Sequence, residues 1–138
     1  MSERRRADAA DRAESQGVAV HELSIASAIV ERAGELALAD GAETVSAVTV
    51  RVGELSGVVP DALDFAFEAA REGTALAGAR LVVEQVPARA YCAACAAEFA
   101  VGMPPFFWCP HCDRPSRDLR TGRELEIVRV EPGRAAGT

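Results

Sequence analysis

From Ser24 the apolar residues fall at helical spacing. Ile25, Ile29, Arg32 or Ala33, and Leu36 recur along one side, with Glu31, Arg32 and Glu35 for the wet side. Ser24 is placed to cap this helix and Asp40-Gly41 to end it. The period then changes. Val48, Val50 and Val52 alternate with Ala47, Thr49 and Arg51, which predicts a strand with one buried face, ended by Gly53 and followed by the loop GELSGV. Val59-Pro60-Asp61 opens a second helix, with proline near its first position and an acid in its first turn. Its apolar stripe is Leu63, Ala66, Phe67 and Ala70, with Phe65 alongside, and Gly73 is its stop. A long strand is expected from Ala79 to Val86, limited to an edge or a bend by Pro87. Glu124 to Val130 reads as a last strand, and Glu131-Pro132-Gly133 ends the order.

The order is α-β-α-β, a cysteine-bearing segment, then β. That predicts an α+β fold, with two helices on one face of a small three-stranded sheet and a zinc-ribbon-like module inserted before the last strand. The expected division is 20–88 with 122–132 as an α/β domain and 89–121 as the cysteine module. Residues 1–19 and 133–138 are expected to be disordered. The leading stretch mixes charges and small residues and, after Met1, holds no large apolar side chain before Val18.

Composition narrows the function. At 138 residues, 49% hydrophobic, the chain suits one domain, or one domain with a small satellite. A formal charge of −6 argues against nucleic-acid binding, which favours a basic face, and against reliance on an anionic membrane surface. No apolar run approaches the roughly 20 residues of a spanning helix, and the first residues lack the apolar core of a secretory signal. A cytoplasmic location follows as the expectation. In a reducing compartment four cysteines are metal ligands more readily than disulfides.

Cys92-Ala-Ala-Cys95 and Cys109-Pro-His-Cys112 are two CxxC pairs with thirteen residues between them. Each CxxC turn aims two thiolates at one point, and two turns supply the four sulfurs of a closed tetrahedral site. A closed site leaves no position for substrate, so the expected metal is structural. Zinc is favoured, while spacing alone leaves iron open. Two disulfides, or a thioredoxin-type redox pair, are the competing readings; the latter needs one pair at a helix start rather than two matched pairs. His111, inside the second pair, reads as a solvent-facing loop residue. Phe106, Phe107 and Trp108 either pack this small module or form a docking surface.

His21-Glu22, just before the expected first helix, means little alone. Its context says more. Val20-His21-Glu22-Leu23-Ser24-Ile25-Ala26, VRVGELSGV at Val50 to Val58, PDALDFAFE at Pro60 to Glu68 and the two CxxC pairs occur in one order. Together they resemble the HypA/HybF family of hydrogenase nickel-incorporation metallochaperones, from Val20 to about Pro132. The resemblance implies transport of Ni(II), bound at a chain start Met-His-Glu by the terminal amine, the histidine imidazole and backbone nitrogens, with the glutamate beside them. Carried over, the nickel-binding residues are Val20 (as the first residue), His21 and Glu22, and the zinc ligands are Cys92, Cys95, Cys109 and Cys112. It implies delivery to the large subunit of a nickel–iron hydrogenase with a maturation GTPase as partner; some members also serve urease.

One departure stands out: residue 20 is an internal valine. A GTG start codon read as internal gives Val, and initiation there would give Met-His-Glu-Leu-Ser. The chain is not expected to be an enzyme. It carries no Ser-His-Asp arrangement, no P-loop GxxxxGK[ST] and no HExxH. His21 is expected to be essential for nickel and dispensable for folding. The alternatives are a zinc-ribbon protein-interaction module without nickel function, and a thiol redox protein.

Overall fold

The computed structural model describes residues 20–133. The expected disordered segments, 1–19 and all but the first residue of 133–138, lie outside that range. Helix α1 spans Val20–Ala39 and strand β1 Val45–Gly53; helix α2 spans Pro60–Ala70 and strand β2 Arg80–Val86. Four strands follow: β3 Arg89–Cys92, β4 Ala97–Ala100, β5 Leu119–Thr121 and β6 Leu125–Pro132. The fold is α+β, as expected. One three-stranded sheet has the order β2-β1-β6 and a second the order β4-β3-β5. Among the described residues no helix is long and apolar enough to cross a membrane.

Cα proximity divides the described chain into two units. The first takes 20–49, 59–82 and 127–133, and the second 50–58 and 83–126. The second holds the residues 89–121 together with the end of β1 and the GELSGV loop, 83–88 and 122–126.

In the first unit α1 and α2 pack on each other. Helix α1 starts at Val20, a turn before the expected cap, so Ser24 is a helical residue and His21-Glu22 lie in the first turn. The extra turn has a physical cause. Glu22 places a carboxylate at the helix N-terminus, where negative charge is favourable, and its Oε1 accepts a hydrogen bond from the Val59 backbone N–H at 3.2 Å. The buried stripe of α1 is Ala26, Ile29, Val30, Ala33 and Ala37: it keeps the expected Ile29 and Ala33 and adds Ala26, Val30 and Ala37. Ile25 and Leu36 are half-buried; alanines, which carry little hydrophobic signal, form most of the contact face. The helix ends before Gly41, which takes a positive φ of 82°.

Helix α2 follows its expectation closely. Val59 is its N-cap, Pro60 sits at the first position, and Ala62, Leu63, Ala66 and Phe67 are buried. Phe65 is 60% exposed. Strand β1 departs from a single buried face: Ala47, Val48, Thr49 and Val50 are all buried. It is the central strand of its sheet, whereas β2 and β6 lie at the edges and are mostly half-buried or exposed.

The second sheet was not legible beforehand. Strand β3 pairs antiparallel with β4 in the register Ala90↔Phe99 and Cys92↔Ala97, so the first CxxC pair forms the turn of a hairpin. Strand β5 pairs with the other edge of β3 through Ala90↔Leu119, with a bulge beside it. Ala88, Ala90, Cys92, Phe99, Val101 and Cys109 form the buried cluster of this unit, with Leu55, Phe107, Cys112 and Leu119 packed against it.

Candidate metal centres

The second CxxC pair is also a hairpin turn. Trp108 bridges Pro115, the Cys109 N–H donates to the Arg114 carbonyl at 2.9 Å, and the Asp113 N–H donates back to the Cys109 carbonyl at 2.9 Å. The two turns share a backbone feature. The residue after each pair, Ala96 and Asp113, has a positive φ of 53° and 59°. Non-glycine residues adopt this conformation seldom, and here it turns each hairpin so that both of its cysteines face one point.

All four sulfurs lie within 4.8 Å of one another. Cys92 Sγ is 3.6 Å from Cys112 Sγ, and Cys109 Sγ is 3.9 Å from Cys95 Sγ. These separations exclude a disulfide, whose sulfurs lie about 2.05 Å apart, and the cysteines are free thiols. They match the edge of a tetrahedron of sulfurs about 2.3 Å from its centre, which is about 3.8 Å. The donor set therefore fits a closed four-thiolate metal site. Cys92 and Cys109 are buried, Cys112 is intermediate and Cys95 exposed.

The thiols are electrostatically unequal. The His111 backbone N–H hydrogen-bonds the Cys109 sulfur and draws its pKa down to about 7, against the opposing effect of burial. Cys95 is pushed up to about 12, first by its hydrogen bond with Cys112 and then by that with Cys109. At Cys112 a hydrogen bond from the Arg114 backbone lowers the pKa, but burial and Cys92 outweigh it and the net shift is upward. His111 contributes through its backbone; its side chain is exposed. Behind the hairpins Ser116 Oγ donates to the Tyr91 carbonyl, and the Arg120 guanidinium lies 4.3 Å over the Tyr91 ring. Phe106 stacks on Trp108 at 5.4 Å with both rings substantially exposed, so only Phe107 of this aromatic run packs on the module core.

The second candidate centre is the first turn of α1, in the other unit. His21 Nε2 stands 3.1 Å from Glu22 Oε1, with His21 55% and Glu22 1% exposed. The structure thus joins two residues that the sequence placed merely side by side. It also adds a partner that sequence reasoning missed, the Val59 N–H. A backbone donor leaves no mark in a sequence. Glu22 Oε2 is buried without a hydrogen-bond partner among the described residues. A buried carboxylate so placed needs a nearby positive group or donor to offset its desolvation.

An α+β protein of this size, with a four-cysteine centre in one unit and a His-Glu turn at the head of a helix in the other, belongs to the class of small metal-handling proteins. The family model described as hydrogenase/urease nickel incorporation, metallochaperone, HypA, matches residues 20–132. A hydrogenase maturation factor HypA of Streptomyces avermitilis is 52% identical over 118 residues, 83% of this chain and 90% of that protein. A protein of the same description from Chloroflexus aurantiacus is 50% identical over 112 residues, 81% of this chain and 98% of its own. The solution structure of the Ni metallochaperone HypA from Helicobacter pylori has the same fold, with a TM-score of 0.57 at 23% identity over 80% of this chain and 96% of that one. The chain belongs to the HypA family, the metallochaperones of hydrogenase and urease nickel incorporation.

Proposed function

We propose that this chain binds Ni(II) through the first turn of α1 and delivers it, in the cytoplasm, to the large subunit of a nickel–iron hydrogenase during maturation. The maturation GTPase of the family is its partner, and the four cysteines hold one structural Zn(II). The observation that carries the nickel assignment is the exposed His21 ring beside a buried Glu22 carboxylate, immediately after residue 20, where the family match begins. An imidazole that solvent reaches can take up and release a cargo ion, whereas four sulfurs closing on one point retain theirs. Nitrogen donors suit Ni(II), and sulfur in tetrahedral array suits zinc. Hydrogenase is favoured over urease as the destination because the similar proteins are described as hydrogenase maturation factors.

The zinc, when bound, would supply a cross-link between the two hairpins in a unit with a small apolar core. Cys92, Cys95, Cys109 and Cys112 would hold it, oriented by the backbone amides of their own turns. The nickel would be held by His21 and backbone nitrogens of the same turn, with Glu22 alongside and Val20 as the first ligand where it is the first residue. The family match starts at 20, and the Chloroflexus relative is 98% covered by the alignment; both support Val20 in that role.

The test is complementation in a hydrogenase-producing host that lacks its own factor. The wild-type chain should restore hydrogenase activity and nickel in the large subunit, and His21→Ala should restore neither while accumulating normally. Equal restoration by both would remove His21 from the function.

A further inference from the structure

We propose that the aromatic face of the second CxxC hairpin is an interface for a second copy of this chain. What it receives is the outer face of α2 from that copy, with Phe65 as the anchor. The inference does not depend on where nickel binds.

The hairpin face follows from its register. Trp108 bridges Pro115, and the Ser116 N–H donates to the Phe107 carbonyl at 2.8 Å, so Phe106 stands opposite Arg117. Opposite residues of an antiparallel pair share a face, and neighbours along a strand alternate. Phe106, Trp108, Pro115 and Arg117 therefore share one face, while Phe107 and Cys109 turn to the core. All four residues of that face are exposed, and the Phe106 and Trp108 rings stack on each other at 5.4 Å. Arg51, Arg89 and Arg120 of this unit are each paired with a carboxylate. Arg117, and the exposed Arg114 nearer the turn, form no ion pair among the described residues. Of the acids close in sequence, Asp118 is held by Arg120 at 2.9 Å; Asp113, in the turn itself, is the other. Tryptophan and arginine are the residues in which interface hot spots are enriched.

The matching surface lies on α2. Ala62, Leu63, Ala66 and Phe67 are its buried side. Asp61, Asp64, Phe65 and Glu68 fall at i, i+3, i+4 and i+7, which makes them one stripe on the other side. All four are exposed, Phe65 by 60%. Their three carboxylates form no ion pair among the described residues. Arg71, the next basic residue along the chain, gives its guanidinium to the Ala79 carbonyl.

The two surfaces are complementary. An exposed phenylalanine flanked by carboxylates meets exposed rings flanked by guanidinium groups, and carboxylate with guanidinium forms strong, directional pairs. Two hairpin faces would set arginine against arginine, and two α2 faces acid against acid, so only the unlike faces match. The net charge of −6 opposes association at a distance. Beyond roughly 8 Å physiological salt screens it, and the local pairing decides. Made twice about a two-fold axis, the contact closes a dimer.

The test is sedimentation of the full, zinc-loaded chain over a concentration series, read together with the emission of Trp108, the only tryptophan. The mass should rise from one chain to two, the emission should shift to the blue over the same range, and added salt should reverse both. Asp64→Arg and Arg117→Glu should each weaken the dimer at least about tenfold, since like charges then face each other. An equimolar mixture of these two variants should dimerise like the wild type, because in the mixed pair both contacts join opposite charges. Zinc content and circular dichroism confirm that each variant is folded. A chain that stays monomeric throughout would overturn the proposal and leave the face to a different protein. So would a dimer that both reversals leave intact, or a mixture no tighter than either variant alone.

Discussion

Gly53 lies against Gly122 so closely that a Cβ on Gly53 would stand 2.2 Å from the Gly122 carbonyl carbon and oxygen. The backbones cannot part easily. The Gly53 N–H donates to the Glu124 carbonyl at 2.7 Å, and the Leu55 N–H donates to the Gly122 carbonyl at 2.6 Å. Gly122 itself takes a φ of 124°, and its own Cβ would meet the Ala88 Cα at 2.7 Å. Between them Glu54 accepts a hydrogen bond from the Ala88 N–H at 2.9 Å. The GELSGV loop is thus a packing device of the second unit.

Gly53→Ala should therefore destabilise the chain by about 1–3 kcal/mol, the usual cost of forcing extra atoms into a filled space. Gly78→Ala is the control: a Cβ there meets nothing within 4 Å and φ is not positive. Urea or thermal unfolding compares the two. Equal midpoints for Gly53→Ala and Gly78→Ala would mean that the close approach relaxes at no cost.

Much of this was legible beforehand, for identifiable reasons. The CxxC pairs announce themselves because spacing alone determines that each turn brings two sulfurs together. Pro60 and the Leu63-Ala66-Phe67 stripe mark α2 because both signals are local. The start of α1 was not legible, because its first turn is held by Val59, 37 residues away. Strands β3, β4 and β5 were missed because they are only three or four residues long; β3 and β4 are joined by a hairpin turn, and β5 pairs with β3 from far along the chain. The role of Gly53 was hidden for the same reason as Val59: its partner lies far along the chain.

Protein purified without added metal should contain about one zinc per chain, the stoichiometry of a closed four-thiolate site. Cys92→Ala and Cys109→Ala remove the two buried ligands. Each should release the metal and unfold the second unit, since zinc binding and folding of such units are linked. Elemental analysis with thiol titration measures this. Four reactive thiols in folded, metal-free protein would contradict the zinc assignment.

Zinc affinity should fall as pH falls, with a break near neutrality. Thiolates bind and thiols do not, so every proton on a ligand competes with the metal. In the metal-free protein Cys95, pushed up to about 12, and Cys112, also raised, stay protonated at pH 8. Cys109, drawn down to about 7, is mostly ionised there. Zinc binding at pH 8 must then displace protons from Cys95 and Cys112. Below pH 7 Cys109 adds its own, and the affinity should drop more steeply. Chelator competition across this range, with calorimetry in buffers of different ionisation heat, reads both quantities. A flat pH profile is the contrary result.

The last prediction concerns the first ligand. A primary amine offers nickel a lone pair directly, whereas a peptide nitrogen must first lose its proton. In the 138-residue chain the nitrogen of residue 20 is a peptide nitrogen, because residue 19 precedes it. In a chain beginning Met-His21-Glu22 it is an amine, next to the His21 backbone nitrogen and within chelating reach of the His21 ring. The two forms should therefore differ. The shorter one should bind nickel tightly in a planar, diamagnetic site, and the longer one weakly or in another geometry. Both should hold the same zinc, since no cysteine lies ahead of Cys92. Titration followed by visible absorption and magnetic susceptibility separates the cases. Equal affinities with equal spectra would show that the amine is not a ligand, and the search for the remaining donors would move to the backbone nitrogens of the first turn and to Glu22 Oε2.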